Sequence, residues 1–566
     1  MKRSATRQAI RPQSPDRSSG SGFHSFERQT NPSGRSHRRS DVSRLRNTII
    51  RTSRGALTGL LAAFTALAVA ELAAALLRPA AGPVTVVGGA VIDRTPAAVK
   101  DFAIRTFGEN DKIVLQIGIL VLLALFAVLL GVLALRNRYV GVAGVLLFGI
   151  VGAAAALTRP DSAGIGDALP SLIGAVVAAA VLFLLAGKAA GAADAADGEP
   201  HASTWSRRGF LTAATVTAAA ATGAGVIGRI LAGQRGEDAV ASRKNLVLPA
   251  PASPAPAIPS GARLKIPGIS AFTTPNRDFY RVDTALVVPK VDAESWRLRV
   301  HGKGVTRPRT YSLDDLLTRP LIERDVTLTC VSNEVGGPYI GNARWLGVRL
   351  SDLLAECGVK PPSKGGKADQ LVARSVDGMT LGSPVEDVMD GRDAMLAVGM
   401  NGEPLPFDHG FPVRMLVPGL YGYVSACKWI EDIELTTFDA YDPYWVKRKW
   451  ARRAPIKTQS RIDTPKPFAR PAAGTVTVAG VAWAQRRGIT RVQVRVDDGP
   501  WQDADLAVQD TTDTWRQWSY RWQATPGGHN LTVRATDATG QVQTEQRTRT
   551  VPDGASGWHS VFVTVT

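Results

Sequence analysis

A cysteine at the end of a short apolar strand is the residue of this chain best placed to do chemistry. Val326, Leu328 and Cys330 are two positions apart, so they fall on one face of a predicted strand. Glycines follow at positions 336, 337 and 341, and they allow backbone to pass close to whatever the thiol holds. A free cysteine more often only packs in a core. The spacing alone therefore leaves two interpretations open, a packing residue or a ligand.

Two blocks of sequence favour the second interpretation, because together they resemble a known family. The first, TLTCVSNEVGGPYIGNARWLGVRLSDLL, runs from Thr327 to Leu354 and contains Cys330. The second, LAVGMNGEPLPFDHGFPVRMLVPGLYGYVSACKWIEDIEL, spans residues 396–435. Both are similar to the sulfite oxidase family of molybdenum enzymes, and the resemblance extends from about Phe279 to the C-terminus. It implies that the Cys330 thiolate binds molybdenum held by a molybdopterin dithiolene.

The resemblance also implies which residues bind the cofactor and act on the substrate. A phosphate is well bound by arginine, ammonium and backbone N–H groups, so the residue types agree with the implied roles. The cofactor-binding residues expected on this basis are Tyr280, Arg281, Asp377, His409, Arg414, Ala426, Cys427 and Lys428. The residues expected to be catalytic are Cys330, Arg281 and Trp450, with Tyr444 as the alternative to Trp450.

Two departures from the family leave the substrate open. Glu334 and Val335 stand where sulfite oxidases have a pair of arginines, and an acid there would repel a dianion. The basic segment YWVKRKWARR, at 444–453, either attracts an anion or simply faces solvent. We expect two-electron oxygen-atom transfer on an unidentified small molecule, with electrons exchanged with a separate cytochrome or quinone-linked carrier. The alternatives are a sulfite oxidase or dehydrogenase, a sulfoxide reductase and a cofactor-free membrane-anchored binding module.

The first third of the chain predicts a membrane region. Four apolar stretches, near 55–77, 113–135, 139–157 and 168–187, each have about 17–23 residues, enough to cross a hydrocarbon core of ~30 Å. Residues 1–54 carry 13 Lys/Arg and three acidic residues, and the resulting charge of +10 is more than half of the chain's net charge of +18. Basic segments beside spans stay in the cytosol. We therefore expect a disordered cytosolic tail and no nucleic-acid partner.

The residue types in these stretches argue against one common redox arrangement. Haem between membrane helices needs axial ligands, usually histidine, and all seven histidines lie outside the four stretches. The three cysteines have neither haem-attachment nor iron–sulfur spacing. We expect molybdenum–molybdopterin without haem or an iron–sulfur cluster, and we expect Cys357 and Cys427 to be buried thiols. Glu71, the one acid inside a stretch, is expected to reach the outer interface.

An export signal is the next feature along the chain. SRRGFL, at 206–211, precedes an Ala/Thr/Gly stretch that reaches about Leu231. It resembles the twin-arginine motif, whose pathway carries folded proteins, and the same arginines suit the cytosolic end of a fifth span. A cofactor loaded in the cytosol requires export after folding. We therefore expect a multi-pass protein of the cell membrane with a cytosolic N-terminus and an extracytoplasmic catalytic domain.

The expected architecture has a helical membrane part of four to five spans, an α+β sulfite-oxidase-type molybdopterin domain and a C-terminal all-β immunoglobulin-like sandwich. The sandwich is predicted from short strands separated by turns such as DDG and ATG. The family resemblance implies that it pairs subunits as a homodimer. The expected divisions are a basic tail at 1–54, four membrane helices at 55–190, a cytosolic loop and fifth span at 191–232, a Pro/Ala linker at 233–264, the catalytic domain at 265–465 and the sandwich at 466–566.

Overall fold

A helical region precedes two β-rich regions in the computed structural model. The structure describes residues 33–96, 111–159, 164–194 and 207–566, together with the isolated residues 99, 102, 106, 107 and 162. The helices of the first region are α1 (Ser33–Leu77), α2 (Pro83–Arg94), α3 (Asp111–Arg136), α4 (Arg138–Leu157), α5 (Leu169–Asp194) and α6 (Arg207–Asn245).

Five helices in the described part of the chain are long and apolar enough to cross a membrane, as predicted. The candidate spans are Thr48–Leu77, Ile113–Arg136, Arg138–Leu157, Ile165–Ala189 and Arg208–Asn245. The turn between the second and third spans is a single residue, Asn137, whose side chain accepts hydrogen bonds from the Tyr139 and Val140 N–H groups. Such a side-chain cap satisfies donors that a helix start leaves unpaired, so the chain can reverse within one residue.

The predicted disordered tail needs correction at its second half. Helix α1 begins at Ser33, so residues 33–54 are helical and continue directly into the first span. Arginine is a strong helix former, and a helix that is already nucleated by a span extends through such a sequence at little cost. Residues 1–32 of the tail lie outside the described residues, as do residues 195–206 with the first position of the twin-arginine motif.

The sequence analysis does not predict helix α2, which follows the first span. Pro83 occupies the first turn of this helix, where its missing N–H breaks no hydrogen bond. Val86, Gly88 and Ala90 are buried, so the helix packs against its neighbours although it is too short to cross a membrane.

Two five-stranded sheets form the second region. One has the order β2-β1-β10-β5-β6, with β1 and β10 parallel. The other has the order β3-β4-β7-β8, with β9 paired to β7. The strands are β1 (Arg297–Gly302), β2 (Arg309–Ser312), β3 (Leu321–Thr329), β4 (Ile340–Arg349), β5 (Gln370–Ser375), β6 (Thr380–Pro384), β7 (Met395–Met400), β8 (Glu403–Pro404), β9 (Arg414–Leu416) and β10 (Ile430–Thr436). Short helices between them are α7 (Leu313–Leu317), α8 (Leu350–Glu356), α9 (Val385–Met389) and α10 (Gly422–Ser425).

The predicted linker at 233–264 is shorter and less free than expected. Helix α6 continues to Asn245 because the first proline after it is Pro249. The remaining Pro/Ala residues are extended, as predicted, but they lie on the catalytic region. The carbonyl oxygen of Ser253 accepts a hydrogen bond from the Glu323 N–H of β3 at 2.9 Å. The segment is therefore packed against the sheet and is not a spacer.

Two four-stranded sheets form the C-terminal region, which confirms that it is all β. Their orders are β11-β12-β16-β15 and β14-β13-β17-β18. The strands are β11 (Gln459–Thr464), β12 (Gly474–Trp483), β13 (Ile489–Val496), β14 (Gln502–Asp503), β15 (Asp505–Leu506), β16 (Arg516–Ala524), β17 (Gly527–Asp537) and β18 (His559–Val565). The first sheet begins at Gln459, before the expected boundary at 466, because β11 pairs along β12. The immunoglobulin-like arrangement itself stays a prediction.

The C-terminal region packs on strand β3, for which the sequence analysis predicts only that Val326, Leu328 and Cys330 share one face. Val326, Thr327 and Leu328 are all nearly inaccessible to solvent, so both faces of the strand are covered. On the second face, the Gln485 side chain donates to the Thr327 carbonyl oxygen at 3.0 Å, and the Trp515 N–H donates to the Thr327 hydroxyl at 2.8 Å. The strand that carries Cys330 is thus clamped between two regions.

Candidate functional site

Cys330 begins the loop that follows β3, and both its backbone N–H and its thiol have a hydrogen-bond partner in this loop. Its N–H donates to the Tyr339 carbonyl oxygen at 3.0 Å, and its Sγ shares a hydrogen bond with the Ser332 hydroxyl at 2.8 Å. Burial raises the pKa of the thiol, while the Ser332 hydrogen bond and the nearby Lys428 ammonium act in the opposite direction. A thiolate here is therefore favoured only when a further positive charge is close.

A cavity of about 120 Å³ lies in front of this thiol. Residues from five separate parts of the chain line it: the segment before β1, the loop after β3, the β5–β6 turn, the stretch between β8 and β10, and the segment after β10. Most of the sequence-predicted site residues are among them: Tyr280, Cys330, Asp377, His409, Arg414, Ala426, Lys428 and Trp450. Their sequence separation shows that only the folded chain brings these groups together.

Arg414 and His409 form the most deeply buried polar pair of the cavity. Arg414 is only 5% exposed, its Nη1 donates to the His409 carbonyl oxygen at 3.2 Å, and its Nε has no hydrogen-bond partner. Its guanidinium lies 4.9 Å from the Trp345 ring centroid. Burial lowers the pKa of Arg414 to about 10 and, with the Arg414 charge, that of His409 to about 4. His409 is therefore neutral at pH 7, and a buried arginine N–H points to a missing acceptor.

Lys428, which lies next to Arg414 beside Gly410, shares one carboxylate with Arg281. Lys428 Nζ donates to Asp283 Oδ2 at 2.7 Å and to the Asp408 carbonyl oxygen at 3.2 Å. Arg281 Nε donates to the same Asp283 oxygen at 2.8 Å. Burial lowers the pKa of Lys428 to about 8, although Asp283 opposes that shift. The pair holds the ammonium in place at the cavity wall.

Aromatic side chains form the rest of the wall. Phe279 and Tyr280 are stacked with ring centroids 5.2 Å apart, and burial next to Cys330 raises the pKa of the Tyr280 hydroxyl. The ring centroids of Tyr423, in α10, and Trp450, in the segment after β10, lie 5.6 Å apart. Such a wall excludes water and leaves the few polar groups to orient a ligand.

Comparisons with known proteins agree with this geometry. The oxidoreductase molybdopterin binding domain model matches residues 285–445. Sulfite oxidase from Gallus gallus is 32% identical over 319 residues, which cover 48% of this chain and 68% of that protein. The chain belongs to the sulfite oxidase family of molybdopterin oxidoreductases.

A further relative and a solved structure are also similar to this chain. The mitochondrial sulfite oxidase of Mus musculus is 32% identical over 342 residues, 52% of this chain and 62% of that protein. The matched part thus spans less than two thirds of the mouse protein. Among solved structures, the sulfane dehydrogenase SoxCD from Paracoccus pantotrophus is 26% identical, with a TM-score of 0.45, over 52% of this chain and 82% of that chain.

The donor set of the cavity suits the cofactor of the sulfite oxidase family. The unpartnered Nε of Arg414 and the buried Lys428 ammonium offer positive donors to a phosphate, and Cys330 offers a soft ligand to molybdenum. Among the described residues, no group of three or more His, Cys, Asp or Glu side chains could hold a metal ion without further ligands. Cys330 would then be the protein's ligand to the metal, and the bound cofactor would supply the others.

Two of the predicted site residues do not line the cavity. Arg281 points to Asp283 and also pairs with Asp408 at 3.1 Å, and its side chain is 36% exposed. Cys427 is fully buried behind the wall, with its Sγ near the Lys428 carbonyl oxygen. Arg281 therefore acts on the cavity through Asp283, and Cys427 is, with Cys357, one of the two buried free thiols expected.

The charges expected from the sequence near the substrate also lie elsewhere. Glu334 is exposed and is not among the cavity-lining residues, so its charge is not aimed at the cavity. In the basic segment 444–453, Arg448 pairs with Asp93, and Arg452 pairs with Asp442. The reason is side-chain direction, which in an irregular loop does not follow from sequence spacing.

The sequence analysis missed several cavity residues. Asp283 and Ser332 each lie two residues from a predicted site residue, and a carboxylate beside an arginine is the signal that could have identified the first. Tyr423 and Trp445 carry no such signal, because an aromatic residue is as often part of a core. The polar and aromatic residues missed include Asp283, Ser332, Tyr423, Trp429 and Trp445.

Proposed function

We propose that this protein is a membrane-anchored molybdopterin oxidoreductase whose reaction takes place in the cavity at Cys330. One observation carries the proposal. Cys330, a buried arginine with an unpartnered N–H and a buried lysine line the same cavity in a chain of the sulfite oxidase family. The molybdenum centre, when bound, would supply two-electron oxygen-atom transfer, while the protein supplies orientation and electrostatics.

The residues of the chain divide this work between them. Arg414 and Lys428 would hold the phosphate of the cofactor. His409 donates its Nε2–H to the Asn276 carbonyl oxygen at 2.9 Å, so its neutral ring would accept a hydrogen bond from the pterin at Nδ1 without adding charge. Cys330 would ligate the metal, with the Ser332 hydroxyl placed to stabilise its thiolate. Trp445 and Trp450 would keep water from the reacting atoms.

The charges of the cavity favour a neutral substrate. Arg414 and Lys428 are balanced by Asp283 and Asp377, and Asp283 already pairs with Lys428. A dianion such as sulfite gains little from a cavity without surplus positive charge. We therefore propose a neutral or bulkier molecule, of which a sulfoxide is one class. Sulfite oxidation is the second candidate, since relatives of that name share the fold.

Metal and pterin analysis of the purified full-length protein tests the proposal. We expect about one molybdenum and one pterin per chain, and a loss of bound metal or of turnover in Cys330→Ser, because oxygen replaces a soft sulfur ligand poorly. Cys357→Ser is the matched control, since Cys357 is buried but does not line the cavity. Protein from a molybdenum-replete host that contains neither metal nor pterin would instead support the cofactor-free binding module.

We further propose that the catalytic domain lies outside the cytoplasm and exchanges electrons with a separate carrier. The arginine pair at the start of α6, a candidate span, supports the location outside the cytoplasm. The separate carrier follows from the proposed two-electron reaction. Replacing Arg207 and Arg208 by lysines should keep the C-terminal domains in the cytosol, where protease added to spheroplasts does not reach them. Unchanged export of this variant would mean that the two arginines act only as the positive flank of the span.

A further inference from the structure

Helix α2 connects the membrane part to the wall of the catalytic cavity. Its residue Asp93 accepts hydrogen bonds from the Tyr444 hydroxyl and from Arg448 Nη2, the latter at 3.2 Å. The guanidinium of Arg448 also stacks on Tyr444, 3.4 Å from its ring centroid. Tyr444 is only 6% exposed, and burial together with Asp93 raises the pKa of its hydroxyl. The hydroxyl is therefore a neutral donor that depends on Asp93 for its partner.

Tyr444 begins the segment that supplies two of the tryptophans that line the cavity, Trp445 and Trp450. Its ring contacts that of Trp445 at 5.0 Å, and Trp445 contacts Trp450 at 6.2 Å. The Trp450 N–H donates to the Trp445 carbonyl oxygen at 3.2 Å, which closes the segment into a compact turn. Both tryptophans line the cavity. The contact with Asp93 therefore lies one residue from the wall.

The same helix also contacts a second segment beside the cavity. Gly88 is buried, and a Cβ placed on it would lie 2.8 Å from Leu286 Cδ2. Leu286 follows the segment whose members Tyr280, Val282, Asp283 and Thr284 line the cavity. A methyl group at position 88 would displace only the end of the flexible Leu286 side chain, whereas a larger, branched side chain would also crowd the segment that carries Leu286. One short helix thus touches two wall segments that are distant in sequence.

We propose that α2 is a brace by which the membrane part holds the two wall segments of the cavity, with Asp93 as a positioning residue. The proposal assigns the membrane part a role in shaping the reaction site in addition to anchoring it. It rests on the proposed function only in taking the cavity as the site of reaction. The contacts themselves do not depend on which substrate or cofactor is bound.

Hydrogen exchange of the cofactor-loaded full-length protein in detergent micelles tests the brace directly. In Asp93→Ala, the amides of 441–454 should exchange faster by about tenfold or more, because the buried Tyr444 hydroxyl and the Arg448 charge lose their acceptor. Asp93→Glu should restore most of the protection. Arg243→Ala is the matched control: it breaks a charged contact between α6 and Glu403 that involves no cavity residue, and it should leave 441–454 unchanged.

A second pair of variants tests the contact between α2 and the segment that carries Leu286. Gly88→Val should speed hydrogen exchange in residues 279–287. Gly89→Val is the matched control: it changes the helix propensity of α2 by the same amount, but its side chain meets only Arg159 at 3.6 Å, so exchange in 279–287 should not change. If Asp93→Ala does not insert, Tyr444→Phe removes the same hydrogen bond from the catalytic side. Unchanged exchange of both segments in Asp93→Ala and Gly88→Val would overturn the proposal.

Kinetics separate a brace from a general loss of stability. With sulfite and dimethyl sulfoxide as probes, a loosened wall should raise KM of the probe that turns over while kcat per bound molybdenum changes little. Equal loss of kcat in Asp93→Ala and Arg243→Ala would contradict a positioning role. Because hydrogen exchange needs no turnover, failure of the brace and failure of the proposed function give different results.

Discussion

Two cavities of this molecule are built in opposite ways. The cavity at Cys330 is about 120 Å³ and is lined by charged, hydrogen-bonded and aromatic side chains. A second cavity of about 200 Å³ is lined by residues of α1, α2, α3, α4 and α5, and Ser171 is the one polar side chain among the described residues that line it. Polar and charged side chains that need hydrogen-bond partners shape the first cavity, whereas small apolar residues shape the second.

The difference shows how each region obtains its specificity. In the helical bundle the helices approach closely where glycine allows it: a Cβ on Gly59 would lie 1.9 Å from the Ala127 carbonyl oxygen. In the catalytic domain a buried arginine keeps an N–H without a partner. Close packing needs no ligand, whereas a buried unpaired donor is costly unless something binds there. The second cavity also has an unpartnered donor, the Ser171 hydroxyl, but this group is neutral, so of the two cavities only the one at Cys330 offers a buried charge to a ligand.

The largest effect that would test this contrast is expected from Arg414→Leu. The variant removes the buried donor that we assign to the cofactor phosphate, a charge-assisted contact worth roughly 1.5–3 kcal/mol. We expect bound pterin and molybdenum to fall by about tenfold or more. Arg349→Leu is the control, because Arg349 pairs with Asp393 and does not line the cavity. Full cofactor content in Arg414→Leu would remove the arginine from the site.

The charge balance of the cavity predicts poor use of sulfite. Without surplus cations, we expect a sulfite KM at or above about 1 mM, the upper end of ordinary Michaelis constants. Asp377→Asn removes one negative charge from the wall and should lower that KM, whereas Glu334→Gln alters an exposed residue that does not line the cavity and should not. Rapid turnover with a micromolar KM in the unmodified protein would show that the substrate is sulfite.

The helical bundle should respond to glycine substitutions without any change at the metal. Gly59→Ala would place a methyl group against the Ala127 carbonyl oxygen, whereas nothing lies within 4 Å of a Cβ on Gly118. We expect the first variant to lower the melting temperature in detergent, Gly118→Ala to leave it nearly unchanged, and both to keep their molybdenum. Loss of molybdenum in Gly59→Ala alone would show that the two regions are more tightly coupled than their cavities suggest.

The smallest effect is a pH dependence at the junction of the catalytic and C-terminal regions. Burial and Arg461 lower the pKa of His559 to about 4, and its Nδ1 accepts a hydrogen bond from the Ile462 N–H at 3.0 Å. The unfolded chain therefore binds more protons between pH 6.5 and 4, so stability falls as the pH falls through that window. We expect His559→Gln to reduce this loss by about 1–3 kcal/mol, measured by denaturant unfolding at pH 7 and pH 4.5.

Sequence reasoning found the parts of the site whose residue types carry information. Cys330, His409, Arg414 and Lys428 were assigned by resemblance, and all four line one cavity. It also predicted the helices that are long and apolar enough to cross a membrane, because length and hydropathy are local properties. It missed Asp283, which pairs with Lys428 across 145 positions, and α2, whose burial depends on its neighbours. It placed the Glu334 charge in the cavity because the direction of a loop side chain is set by tertiary packing.

X-ray absorption at the molybdenum edge of the purified protein and of Cys330→Ser tests the central claim most directly. If the Cys330 thiolate ligates the metal, the variant should show one sulfur ligand fewer per molybdenum, or no bound metal. Cys357→Ser should match the unmodified protein, since Cys357 does not line the cavity. A Cys330→Ser protein with the sulfur coordination and metal content of the unmodified one would contradict the account.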